Sequence, residues 1–271
     1  TITASTGIAV AGSTINGAIV DSGNILASKV GISIDSASRV STATSAIQIT
    51  GPSFTGGISN AGTVSARNSP VAIYGVTIFS GGISNAGLIT ASNAIAFDIN
   101  SDAAFTGGIA NSGTIAARLS AVDINSLTSF AGGISNNGLI SSSNRSGIQI
   151  NTISRFSNGI TNSGTISAPN AAGIALATIV SFTGNLSNFG RITARTGVNI
   201  LAGVTFGGGA AIVNSGTISG SGAALDASNA SSAVIIDQTA GLISGAIKLS
   251  ANADQLNISG GTISGNIVGS G

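Results

Sequence analysis

The segment at residues 105–115, FTGGIANSGTI, recurs with small edits from about residue 54 to about residue 218. Copies begin at Phe54, Phe79, Phe130, Phe156 and Phe182, and a looser copy, FGGGAAIVNSGTI, begins at Phe206. Inside them Asn60, Asn85, Asn111, Asn136, Asn162, Asn188 and Asn214 follow one another at steps of 25, 26, 25, 26, 26 and 26 residues. A fixed period of this size restricts the chain to a stack of near-identical units, each supported by its neighbours.

The period within one unit is two, which specifies strands rather than helices. Around Asn136, the residues Ile134, Asn136, Gly138 and Ile140 point one way, and Ser135, Asn137 and Leu139 the other. A second alternation follows at Ile148, Gln149 and Ile150, and a closing segment carries the Phe. Three short strands joined by Gly, Asn and Ser turns in 25–26 residues make one coil of an all-β fold, a single-stranded parallel β-helix. The handedness rule for parallel crossovers predicts a right-handed one. Stacking at ~4.8 Å then superposes equivalent residues. It creates apolar columns through Ile58, Ile83 and Ile109 and through Val64, Ile89 and Ile115, plus a pile of Phe rings.

The Asn column faces inward at a bend, where an unpartnered amide costs roughly 1–3 kcal/mol. Each amide is therefore expected to bond to the Asn one coil up and one coil down, and to turn backbone. The Gly two residues later, as at Gly62 or Gly138, supplies a corner without a Cβ or with positive φ.

The whole chain, residues 1–271, is expected to be one β-helix domain. Residues 54–222 form the regular repeats, and residues 223–271 are divergent C-terminal coils. In residues 1–53 the pattern also diverges, with Asp21, Gly23 and Ile25 standing for the Asn, Gly and Ile anchors. Gly23 to Gly62 is then 39 residues, which predicts an inserted loop or hairpin near residues 35–45.

Only 6% of residues are charged, the net charge is +1, and Glu, His, Cys and Trp are absent. No basic patch exists for nucleic acid. Neither a thiolate or imidazole nucleophile–base pair nor a soft-metal site can be assembled. No apolar run approaches the ~18–20 residues of a spanning helix. No cofactor is expected, and no catalytic residue is assigned. One constellation remains: Asp98 and Asp123 hold the same outward position on successive coils. Their spacing of ~5 Å suits a retaining glycosidase. With Asp102 nearby it also suggests a cation site, against a plainer reading as solvated surface acids. Their row continues as Gln149, Ala175 and Asn199, with no Arg or Lys in register and no aromatic platform. Arg67, Arg118 and Arg195 read as solvated edge charges. Outward hydroxyl rows run through Ser59, Ser84 and Ser135 and through Ser65, Thr90 and Ser141. An ice-binding file is interrupted, because Thr63, Thr114 and Thr165 alternate with Leu88, Leu139 and Arg191.

The phrases GGISNAGTVS and GNIVGSG, the closing ADQLNISGGTISGNIVGSG, the Gly/Ser/Asn/Ile bias and the missing Cys resemble the passenger regions of bacterial autotransporters, the type V secreted proteins. The resemblance implies a β-helix shown at the outer-membrane surface or secreted, acting as a non-catalytic stalk or adhesin. It implies a host-cell or matrix surface as partner, with glycans and self-association through solenoid ends or faces as further candidates. It also implies that the chain is a piece of a longer precursor, with residues from about 220 leading towards a translocator barrel. The alternative is a β-helical carbohydrate-active enzyme, a polysaccharide lyase or glycosidase. Such an enzyme needs a local cluster of acids, bases and aromatics that breaks the repeat.

Overall fold

The computed structural model describes residues 1–101 and 103–269. Among them every regular element is a strand, and the parallel strands stack in about ten coils as a β-solenoid. Each strand pairs with its counterparts in the coils before and after, and the pairs repeat the sequence period. Ile58–Asn60, Ile83–Asn85 and Ile109–Asn111 lie in register, as do Thr63–Ala66, Leu88–Ala91 and Thr114–Ala117. The Asn–Gly corner divides the first of the three expected segments into two short strands. A regular coil therefore offers four pairing segments, illustrated by Ile58–Asn60, Thr63–Ala66, Val71–Tyr74 and Ile78–Phe79.

The core is the set of columns the alternation dictates. Val64, Ile89, Ile115, Ile140, Ile166, Ile192 and Ile218 have no exposed surface. Each such side chain contributes ~1.5–3 kcal/mol of apolar burial. The Phe column is a pile of near-parallel rings. Centroids from Phe54 through Phe182 are 4.4–5.1 Å apart and interplanar angles do not exceed 9°. Phe206 ends the pile edge-on to Phe182 at 63°.

The Asn ladder forms as expected. The Nδ2 of Asn111 donates to Asn136 Oδ1 at 2.7 Å, and Asn136 Nδ2 donates to Asn162 Oδ1 at 2.7 Å. A second N–H of each side chain serves turn backbone, as in Asn136 Nδ2 to Gly138 O at 3.2 Å. The ladder has one rung more than the Asn repeat, since Asn214 Nδ2 donates to Gln238 Oε1 at 2.8 Å. At the other end Asn60 Oδ1 is buried without a partner, because Ile34 occupies the position beneath it.

Of the two explanations for the corner glycine, the absent Cβ is the operative one. None of the column glycines has positive φ. A Cβ on Gly113 would lie 2.1 Å from the carbonyl oxygen of Gly87. Positive φ belongs instead to the pair before each Ile column, such as Gly107 at 98° and Gly108 at 68°.

The N-terminal register differs from the sequence expectation. Arg39–Thr42 is a strand in register with Thr63–Ala66, so residues 35–45 do not form a protruding loop or hairpin. Val40 enters the column of Val64, Ile34 takes the Asn position of Asn60, and Ile25 takes the Phe position of Phe54. Asp21 lies opposite Ile49 and is no counterpart of Asn60. The 39-residue gap came from the wrong anchors. The true surplus is distributed: seven positions separate Ile25 from Ile32 where four separate Phe54 from Ile58, and six separate Ile34 from Val40 where four separate Asn60 from Val64.

Candidate functional site

Of the faces of the solenoid, the outward side of the strands typified by Val71–Tyr74 and Phe97–Asn100 departs most from the hydroxyl rows elsewhere. One residue per coil lies in register along it, as Gln48, Ala72, Asp98, Asp123, Gln149 and Ala175, and the row continues through Asn199, Asp226 and Lys248. Asp98 and Asp123 are direct cross-strand partners, as their sequence spacing requires.

The two are not alike, and they are not simply solvated. Asp98 is half-buried, but Asp123 is only 8% exposed. Burial, reinforced by the Asp98 charge beside it, pushes the Asp123 carboxyl up to about 6, while the Ser120 hydroxyl and the Arg145 guanidinium pull the other way. Asp98 Oδ2 accepts from the Tyr74 hydroxyl at 2.6 Å and from Ser69 Oγ at 3.4 Å. Burial pushes the Tyr74 hydroxyl well above the usual phenol range, and its bond to Asp98 and that carboxylate's charge add to the effect.

Tyr74 and Arg145 are the residues that register counting missed. Tyr74 sits one coil before Asp98 and two residues beyond its partner Ala72, so its long side chain bridges the coil spacing diagonally. The signal was present, since Tyr74 is the one tyrosine of the chain and shares the parity of Ala72. Arg145 lies in the corner segment before its strand, outside any register. Lys248 also belongs to the row, two coils beyond Asn199, and forms an ion pair at 3.0 Å with Asp226. Burial pushes the Asp226 carboxyl up, but Ser228 and Lys248 outweigh it and leave the group below the usual carboxylate range.

Asp102 lies outside the described residues. Among the described residues no group of three or more metal-ligating acids forms. Arg67, Arg118 and Arg195 are exposed as expected, and Arg118 Nη1 donates to Asn93 Oδ1 one coil away.

Downstream of the carboxylates the same face deepens into a groove of about 590 Å³, floored by Gln149, Ala175, Asn199 and the Asp226–Lys248 pair. Its wall has a local cause. Three residues bulge out between Ala168 and Ala172, whereas Arg195 alone separates their partners Ala194 and Thr196. Asn170, at the centre of that bulge, is fixed by donating Nδ2 to Ser143 O at 2.7 Å.

Comparison with protein-family models, with curated proteins and with solved structures found no match to this chain.

Proposed function

We propose that this chain is the displayed passenger segment of a bacterial autotransporter, a non-enzymatic stalk or adhesin on the extracellular side of the outer membrane. The supporting observation is the strictly sequential pairing of the coils. Each coil docks only on its neighbours, so a chain emerging from a pore can add one coil at a time to a finished template. The low charge and the absence of cysteine suit passage through a narrow pore. Folding outside then opposes backsliding. The test is to fuse the chain to a leader and an outer-membrane barrel and to measure protease-accessible display on intact cells. Proline insertions into the coils at residues 216–243 break ladder bonds and should stall display. Display at the unmodified level would defeat the reading.

The carboxylate pair supports a second reading, a carbohydrate-active enzyme. Adjacent coils hold acids at ~5 Å, the spacing that retaining glycosidases use, and Asp123 is placed to give a proton near neutral pH. Release of reducing ends from polysaccharide by the purified chain, lost in both Asp98→Asn and Asp123→Asn, would favour the enzyme over the stalk.

A further inference from the structure

The groove beyond the acids has a chemistry of its own. Its floor alternates side-chain amides with small apolar residues, Gln149 and Asn199 on either side of Ala175. Beside that row Asn151 and Ala177 are likewise in register. The charges on the floor cancel, because Asp226 and Lys248 are bonded to each other. Arg195 stands exposed on the rim.

The strands that form the floor are hydrogen-bonded on both sides, so no backbone edge is open to an added peptide strand. A ligand must be read by side chains alone. An amide offers both donors and an acceptor, and the groups that answer both from one atom are hydroxyls. Ala177 is half-buried, and Ala172 and Ala175 reach the groove with small apolar facets at 7% exposure, against which a C–H surface can lie. The groove runs along the solenoid axis, and Gln149 and Asn199 recur at every second coil, roughly 9–10 Å apart, so a ligand that repeats along its own length can meet them in turn. About 590 Å³ is within the usual range for small-molecule sites.

We infer that this groove binds a neutral, linear oligosaccharide, with Gln149 and Asn199 as the principal hydrogen-bonding residues and Ala175 as the floor on which a sugar ring rests. This inference deepens the adhesin reading by naming the class of ligand, and it rests on that reading for its biological sense. Its test does not depend on display.

The purified full chain is applied to an array carrying neutral linear hexasaccharides, matched uronate hexasaccharides and extended neutral peptides, and the best ligand is then titrated calorimetrically. Binding to a neutral hexasaccharide is expected, weakened about tenfold by Gln149→Ala or by Asn199→Ala and abolished by Ala175→Phe. Ser135→Ala, on a different face, should bind as the unmodified chain does. Unchanged melting temperatures would show that the groove variants are folded. No binding, a preference for uronates or peptides, or binding indifferent to all three groove substitutions would overturn the inference. Normal glycan binding combined with full display of the proline-insertion variants would count against the autotransporter reading alone.

Discussion

Asp123→Asn separates the charge of the buried acid from its shape. In the unfolded chain this carboxyl ionises from about 3.8, whereas the folded chain delays ionisation to about 6. The folded pKa is the higher one, so the folded state holds the proton more tightly. Stability is therefore greatest below the unfolded value, falls as pH rises through the window from about 4 to about 6, and stays reduced above it. The shift is roughly two units, and at about 1.36 kcal/mol per unit the loss approaches ~3 kcal/mol. For a chain of this size that is on the order of 6 °C in melting temperature. Asparagine fills the same space without the charge. Thermal melts followed by circular dichroism should show the two proteins nearly equal at about pH 4. By about pH 7.5 the variant should be the more stable, by up to ~6 °C. Parallel melting curves across the whole range, or a variant less stable at neutral pH, would refute the account of Asp123 as a charge held against its burial. Asp98→Asn provides the internal control. It removes the second cause but leaves the first, so the window should move down only part of the way.

Three further outcomes follow from the packing. Asn136→Leu leaves Asn111 without its acceptor and Asn162 without its donor, which should cost at least ~2–3 kcal/mol in urea denaturation. Ser135→Leu, on the half-exposed outward row, should stay within about 0.5 kcal/mol. Gly113→Ala drives a methyl against the Gly87 carbonyl and should abolish cooperative melting of the central coils, whereas Gly17→Ala meets open space and should be tolerated. Tyr74→Phe removes the hydroxyl donated to Asp98, and the loss should appear as a fall in stability of ~1–2 kcal/mol at neutral pH.

The fold was legible because its information lies in parity and period. A buried column must be apolar in every coil or, like the Asn ladder, bond to itself from coil to coil, so Ile58 and Ile83, or Phe54 and Phe79, announce one another. Where letters change but parity holds, the reading slipped. Asp21, Gly23 and Ile25 imitate the spelling of an Asn corner, yet the column positions belong to Ile25 as a Phe and Ile34 as an Asn. Apolar burial sets the register, and the imitation has no energetic weight. The acid pair was legible for the same reason as the columns. The electrostatic setting of Asp123 was not, because Arg145, one of the groups that act on it, lies in a corner segment outside any register. The groove was equally hidden, since its wall is a difference in length between two corners, at Ala168–Ala172 and Ala194–Thr196, and not a motif.

The amide ladder has a direction. Every rung gives its proton towards the C-terminal side, so the first, Asn60, keeps an oxygen with nothing to receive, and Gln238 turns its own nitrogen to Ala240 O. Since all rungs point alike, a whole coil can be copied or excised between Asn60 and Asn214 and the cut faces still match, donor to acceptor. Gene-level duplication or loss of one 25- or 26-residue unit would therefore lengthen or shorten the rod without disturbing how it is joined, and reach becomes the trait most freely adjusted in a molecule of this kind.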